Sequence, residues 1–200
     1  MKLHHKRQQR SMTGWAYVAL VGITTMVLGG CASTGDIFRD PTMDFGSIRT
    51  VAVMPFINLS RDQLAAERVR DVFSTALMST GAIYPLPTGE IARAIGSIGL
   101  SNATTPSVDE MVKLSKALKA DAVITGVVRE YGDIRAGNAT ADIISLSMQL
   151  VEGQTGRVVW SASSTRGGIG IMEKLFGGGG KPINDVTEKA VNDLISKLFE

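Results

Sequence analysis

The stretch ISLSMQLVEGQTGRVVWSAS, residues 144–163, decides the fold because it holds the clearest strand pattern in the chain. In its first half apolar side chains alternate with polar ones: Ile144, Leu146, Met148 and Leu150 against Ser145, Ser147 and Gln149. A period of two places the apolar set on one face of a strand. Residues 153–156 are typical of a turn, and residues 157–163 return as the antiparallel partner. The pattern predicts a hairpin with one core face and one polar face.

Outward from this hairpin, the chain alternates strand and helix signals. Apolar runs predict strands at 48–56, 83–86 and 121–128, the last one apolar on both faces as in a covered sheet. Helices are predicted after capping-box spacings at Ser60 and Ser107, over 88–98, and after Asn184. The order β-α-β-α-α-β-β-β-α predicts an α/β sandwich, a mixed β-sheet packed by helices, in one domain from residue 48 to residue 200.

The N-terminus has the pattern of an export signal. MKLHHKRQQR carries four basic residues and no acid, and an apolar run of about 15 residues follows it, from Gly14 to Leu28. That run is short for a permanent spanning helix, which needs about 20 residues. It closes on Leu28-Gly29-Gly30-Cys31, so residues 1–30 are predicted to be a signal peptide cleaved between Gly30 and Cys31.

The cleavage sequence resembles the lipobox of bacterial lipoproteins. The resemblance implies that Cys31, the only cysteine in the chain, receives a diacylglyceryl group and an N-acyl chain. Ala32 in place of an aspartate implies transfer to the outer membrane, facing the periplasm. Residues 32–47 are rich in turn formers and predict a lipidated tether over 31–47, which reaches at most about 55 Å.

Cleavage also limits the chemistry of the mature protein. It removes four of the 21 basic residues and both histidines, His4 and His5, and leaves a net charge of −2. This charge argues against a nucleic-acid partner. With no histidine and no free thiol, Ser-His-Asp or Cys-His catalysis and His/Cys zinc sites are excluded. The remaining candidates for catalysis are three acids near the predicted strand at 121–128: Asp121, Glu130 and Asp133. Acids at the ends of strands are usually solvated surface residues, and we interpret these three in that way. We therefore expect no enzyme, with no catalytic residue, no cofactor and no metal.

Three segments carry a family resemblance: VAVMPF at 51–56, ADAVITG at 120–126 and LVEGQTGRVVWS at 150–161. Together they resemble the CsgG-like lipoprotein superfamily, which includes the LpoB-like activators of peptidoglycan synthases. The resemblance covers residues 48–199. It implies the α/β sandwich above, contributes no catalytic residues and leaves self-association into a homo-oligomer open.

Two departures from this superfamily bear on function. A CsgG-type secretion pore needs two membrane hairpins of roughly 20 residues or more. The connections at the insertion points, 131–140 and 166–181, are too short for them, so the secretion role is disfavoured. The LpoB-like activators reach an inner-membrane synthase through a long disordered tether, whereas the tether predicted here is short.

The sequence therefore predicts a non-enzymatic, membrane-anchored binding or assembly module of an envelope complex, with an LpoB-like activator of a peptidoglycan synthase as the alternative. A contact surface for the envelope partner is predicted in the glycine-flanked segment 167–181, at Ile169, Ile171, Met172, Leu175 and Phe176. The alternative for these five side chains is packing on the domain's own sheet. Trp160 is predicted to lie in the core.

Overall fold

The computed structural model describes residues 37–136, 139–167 and 181–200. These residues form seven strands, four α-helices and one 3-10 helix, as the sequence predicted for a mixed α/β fold. The elements are β1 Ile37–Arg39, the 3-10 helix Phe45–Ser47, β2 Thr50–Val53, β3 Ile57–Asn58, α1 Ala65–Ser79, β4 Tyr84–Pro85, α2 Thr88–Ile98, α3 Val108–Leu118, β5 Ala122–Ala136, β6 Ala139–Glu152, β7 Val158–Gly167 and α4 Ile183–Phe199. None of the helices in the described ranges is both long and apolar enough to cross a bilayer.

The strands form one mixed sheet in the order β1-β7-β6-β5-β2-β4, with β3 also paired to β5. β5, β6 and β7 are antiparallel, whereas β2 and β3 run parallel to β5. Leu150 lies opposite Trp160 and Gln149 opposite Ser161, so the hairpin predicted from residues 144–163 is confirmed. β1 closes one edge by pairing antiparallel with β7.

Helices pack on the two faces of the sheet to different extents. α1 and α4 cover one face, where the larger core gathers Val51, Val53, Phe73, Trp160 and Leu194. α2 and α3 cover part of the other face, where Ala52, Met54, Ile91, Leu114 and Val123 form a smaller core. Because successive side chains of a strand point to opposite faces, β2 supplies both cores, which explains its unbroken apolar run.

The start of the domain differs from the prediction. Residues 37–47, assigned to the tether by their composition, form β1 and the 3-10 helix. Arg39 donates from Nη1 to the carbonyl of Leu198 at 2.8 Å, and its guanidinium lies 3.7 Å from the centre of the Phe45 ring. A three-residue strand is too short to show a period, and its partner lies more than 100 residues away, so composition alone misassigned it.

Two of the three predicted helix caps are wrong. The Ser60 hydroxyl bonds Asn58 Oδ1 at 2.7 Å, and Asn58 Nδ2 donates to the carbonyl of Asp62, so this turn continues and α1 begins only at Ala65. α4 follows Pro182 without a side-chain cap, so Asn184 lies inside the helix. The capping box of Ser107 and Glu110 is confirmed at the start of α3.

The β5–β6 connection is also shorter than predicted. Residues 131–140 were assigned to a connection, but β5 runs to Ala136 and β6 begins at Ala139. The register shifts between Val128 and Glu130. This bulge interrupts the period of two, and for that reason the strand pattern in the sequence stops where the strand itself continues.

Candidate binding groove on the open sheet face

Most of the predicted site residues lie outside the described part of the chain. These are Gly30 and Cys31 of the signal cleavage site, and Ile169, Ile171, Met172, Leu175 and Phe176 of the predicted contact segment. Trp160 lies where it was expected, fully buried in the larger core, and its Nε1 donates to the carbonyl of Lys197 at 3.0 Å.

The three acids considered for carboxylate chemistry do not come together. Asp121 precedes β5, while Glu130 lies nine residues further along the same strand, a separation of about 30 Å. Asp133 lies further still and forms an exposed ion pair with Arg135 at 3.3 Å. General acid–base work by paired carboxylates requires both groups at one substrate, and this arrangement does not provide it.

Asp121 has a structural role instead. Its Oδ2 accepts hydrogen bonds from the amides of Arg49 and Thr50 at 2.9 and 2.8 Å and from the Thr50 hydroxyl at 3.0 Å. Burial acts to raise the pKa of this carboxyl, but the hydrogen bonds from Arg49 and Thr50 outweigh it, so the pKa lies below its ordinary value. The side chain thereby fastens the start of β2 to the start of β5.

The described residues offer no resident metal centre. Within the ranges 37–136, 139–167 and 181–200, no group of three or more histidine, cysteine, aspartate and glutamate side chains is placed to hold a metal ion.

A groove of about 430 Å³ lies on the sheet face opposite α1 and α4. We call it the open-face groove. Its floor consists of side chains from three adjacent strands, Thr125 and Val127 of β5, Ser147 and Gln149 of β6, and Ser161 of β7. Its walls are Ile57 on the β3 side, Met111 and Val151 near α3, Val158 of β7, and the loop 104–106.

The groove exists because α2 and α3 cover only part of this sheet face. Val123 and Val151 are buried beneath the two helices, whereas Thr125, Val127 and Ser147 are half-buried and Gln149 is exposed. The sequence predicted both faces of 121–128 to be covered, and this is wrong for its second half. Thr125, a polar residue within an apolar run, was the available signal.

The position of α3 is fixed by the β6–β7 turn. Gly156 has a φ of +72°, and a Cβ at this residue would lie 2.5 Å from Val108 Cγ1 at the start of α3. This contact requires glycine. The capping box holds the same helix end: Glu110 accepts from the Ser107 amide at 2.7 Å and from its hydroxyl at 2.8 Å. These hydrogen bonds from Ser107 lower the pKa of Glu110 to about 2.

The chemistry of the groove suits a polypeptide surface. The side-chain polar groups of Thr125, Ser147, Gln149 and Ser161 make no hydrogen bond to another described residue. Hydroxyl and amide groups both donate and accept, while Ile57, Val127 and Val158 add apolar area. Arg129 is the single charged residue among the described side chains that line the groove. Such a mixture of apolar area and a few polar groups is typical of a binding site.

Comparison with known proteins places this geometry in a family. The family model of the peptidoglycan-synthase activator LpoB matches residues 33–165, well over half of the chain. No curated protein sequence matches the chain.

Solved structures share the fold at low identity. A PelC dodecamer from Paraburkholderia phytofirmans is 17% identical, with a TM-score of 0.54 over 80% of this chain and 95% of that one. Lipoprotein GNA1162 from Neisseria meningitidis is 20% identical, with a TM-score of 0.54 over 76% of this chain and 98% of that one. At these identities the likeness concerns the mixed α/β fold alone.

The family match extends from the residues before β1 almost to the end of β7 and includes every side chain that lines the open-face groove. The LpoB-like part of the predicted resemblance is confirmed, whereas none of these comparisons supports the CsgG-like part. The chain belongs to the LpoB family of peptidoglycan-synthase activators.

Proposed function

We propose that the mature protein is a lipid-anchored activator of a peptidoglycan synthase that performs no catalysis of its own and engages the synthase through the open-face groove. The observation that carries this proposal is the LpoB family match over residues 33–165, which contains the whole groove. The sequence alone predicted a binding or assembly module of an envelope complex, with the activator as the alternative. Because of the family match, we favour the activator.

The groove chemistry supports a protein partner. Its hydroxyl and amide groups can hydrogen-bond the backbone or side chains of another chain, and the half-buried apolar residues Ile57 and Val127 provide area that a partner can bury. Mixed apolar and polar surfaces of this kind are the rule in non-obligate protein interfaces. Among the described residues that line the groove there is no aspartate, glutamate, histidine or lysine to act as a base, so a role by contact fits the groove better than a reaction.

The proposed anchor limits where the synthase is met. Cys31 is the lipidation residue and Ala32 directs the protein to the outer membrane, on its periplasmic face. Since β1 starts at Ile37, the chain from Cys31 to the sheet reaches at most about 20 Å. The domain therefore stays at its membrane, and the interacting region of the synthase has to come to that surface.

The direct test is glycan-chain polymerisation from lipid II by the class A synthases of the same bacterium, purified in detergent, with and without the mature lipoprotein. We expect at least one synthase to polymerise faster when the lipoprotein is present. If none responds and none binds, the activator function is wrong. Metabolic labelling with a radioactive fatty acid, with Cys31→Ser as the control, tests the anchor separately.

The segment predicted to contact the partner needs its own experiment. We propose that this segment adds to the contact made by the open-face groove, so replacing Ile171 and Phe176 by serine should reduce capture of the synthase and leave thermal stability unchanged. A fall in stability would show instead that the five apolar side chains of this segment pack within the domain.

A further inference from the structure

Three large apolar side chains are exposed where the described domain begins and ends. Ile37 and Phe38 of β1 are 43% and 50% exposed, and Phe199 at the end of α4 is 45% exposed. We call these three residues the β1 surface. Single exposed apolar residues are ordinary, but here they adjoin the point where the chain leaves the domain toward Cys31.

Hydrogen bonds hold the parts of the β1 surface together. Arg39 Nη1 donates to the carbonyl of Leu198 at 2.8 Å, which ties β1 to the turn of α4 that precedes Phe199. The Asp40 amide donates to the carbonyl of Val159 at 2.8 Å, which holds the chain after β1 against β7. Ile37 and Phe38 are successive residues of a strand and therefore point to opposite faces of the sheet. Because β1 is the outermost strand in the described part of the chain, the two side chains flank one edge of the domain from its two sides.

The cations near this edge are already engaged. The Arg39 guanidinium lies over the Phe45 ring. Arg157 is paired with Asp40, and Arg166 and Lys197 are both paired with Asp193. These four cations are held within the described part of the domain, so the interactions of the edge should depend on burial and only weakly on salt.

The length of chain before β1 brings this edge close to a bilayer. Six residue steps separate Cys31 from Ile37, a span of at most about 20 Å. Aromatic and aliphatic side chains held this near a lipid surface gain free energy by entering the boundary between headgroups and acyl chains.

We propose that the β1 surface inserts into the headgroup region of the membrane that carries the lipid anchor, so that the domain stands on this membrane on its β1 edge. The inference rests on the lipidation of Cys31 in the proposed function. Phe38 lies opposite Ser161 and Ser161 opposite Gln149, so Phe38 belongs to the same sheet face as the groove. In this orientation the open-face groove opens sideways, along the membrane plane, toward a partner in the periplasm.

The experiment measures membrane depth at matched positions on opposite edges of the sheet. Phe38→Cys carries a nitroxide label, and Tyr84→Cys is the control, since Tyr84 is 52% exposed on β4 at the far edge. The acylated Cys31 does not react with the label. The mature lipidated variants are bound to vesicles of phosphatidylethanolamine and phosphatidylglycerol. Collisions of the label with oxygen and with a water-soluble nickel complex are then compared.

We expect the label at residue 38 to be more accessible to oxygen and less accessible to nickel than the label at residue 84, both in dilute buffer and at about 1 M salt, where charge interactions are screened beyond about 3 Å. If Phe38→Cys lowers stability, the same accessibility measurement is made with a label on Phe199→Cys. The inference is overturned if, in the vesicle-bound protein, the labels at residues 38 and 199 are as accessible to nickel as the label at residue 84. It is also overturned if spin–spin broadening shows that residue 38 contacts a second copy of the protein. Protein that does not float with the vesicles would refute the anchor itself, and this outcome is distinct from the others.

Discussion

The ring of Phe56 lies directly over Gly126, so close that a Cβ on Gly126 would come within 2.8 Å of the Phe56 Cδ1 atom. The two residues end two of the segments that carry the family resemblance, 51–56 and 120–126. Phe56 also meets Phe73 of α1 edge to face, with ring centres 6.4 Å apart. The glycine thus leaves room on β5 for a ring that connects the sheet to α1.

Gly126→Ala should lower the free energy of unfolding by about 1–3 kcal/mol, because the added methyl group meets an aromatic ring in a filled core. Denaturant unfolding measures the change. Gly96→Ala in α2 is the control: a Cβ there meets nothing within 4 Å, so alanine should stabilise by about 0.5–1 kcal/mol. If the ring is the obstacle, Phe56→Leu combined with Gly126→Ala should cost less than the sum of the two single changes.

Asp193→Asn should weaken the attachment of α4 to β7. The carboxylate pairs with Arg166 and with Lys197, whose Nζ is 3.0 Å from Oδ2, and Lys197 also donates to the carbonyl of Ser163 at 2.7 Å. Solvent screening at the half-exposed Arg166 limits the expected loss to about 1 kcal/mol in denaturant unfolding. Asp133→Asn, which breaks the exposed pair with Arg135, should have little effect. Equal losses would contradict a special role for Asp193.

The same carboxylate gives stability a defined acid dependence. Burial acts to raise the pKa of Asp193, but the neighbouring Ser164 hydroxyl and the positive charges of Lys197 and Arg166 lower it overall. A lowered folded pKa means that the stabilisation is complete above the unfolded pKa, about 3.9. It is lost as the pH falls through the folded value. Below about pH 4 the melting temperature of Asp193→Asn should therefore fall less steeply than that of the wild type.

Glu110→Gln should remove a second acid-sensitive contribution, at the start of α3. Since Ser107 lowers the pKa of Glu110 to about 2, its contribution is present above the unfolded pKa of about 4.3. It should disappear between that pH and about 2. Amide hydrogen exchange in the first turn of α3 measures the effect. Glu90 is the matched control, since it holds the same third position of α2 after Pro87, which provides no side-chain cap. Glu90→Gln should leave exchange in α3 unchanged.

Thr125→Arg should block the open-face groove and reduce activation of the responding synthase at least about tenfold, equivalent to about 1.4 kcal/mol of lost binding. Thr75→Arg places the same side chain on exposed α1, on the opposite side of the sheet, and should activate like the wild type. Melting temperatures check that both variants are folded. Full activation by a folded Thr125→Arg variant would move the interaction away from the groove.

The sequence was sufficient for features that depend on neighbouring residues. The alternation over 144–150 and its return over 158–163 predicted the central hairpin and which of its faces is polar. The spacing of Ser107 and Glu110 predicted a cap that the structure contains. The segments at 51–56, 120–126 and 150–161 pointed to the CsgG-like superfamily with its LpoB-like activators, and the LpoB-like part of that resemblance is confirmed.

Other features depended on residues distant in the chain, and only the tertiary structure decided them. β1 forms because Ile37–Arg39 pairs with the edge of β7. The cap expected at Ser60 is replaced by a turn that the Asn58 side chain stabilises. The groove is open because α2 and α3 cover Val123 but not Thr125. A period of two or a capping box reflects local backbone geometry, which a few adjacent residues encode. Edge pairing and helix coverage depend on contacts between remote segments, and no local pattern specifies them. The hairpin at 144–163 therefore determined that a polar sheet face would exist, and the packing of two distant helices determined how much of that face remains free for a partner.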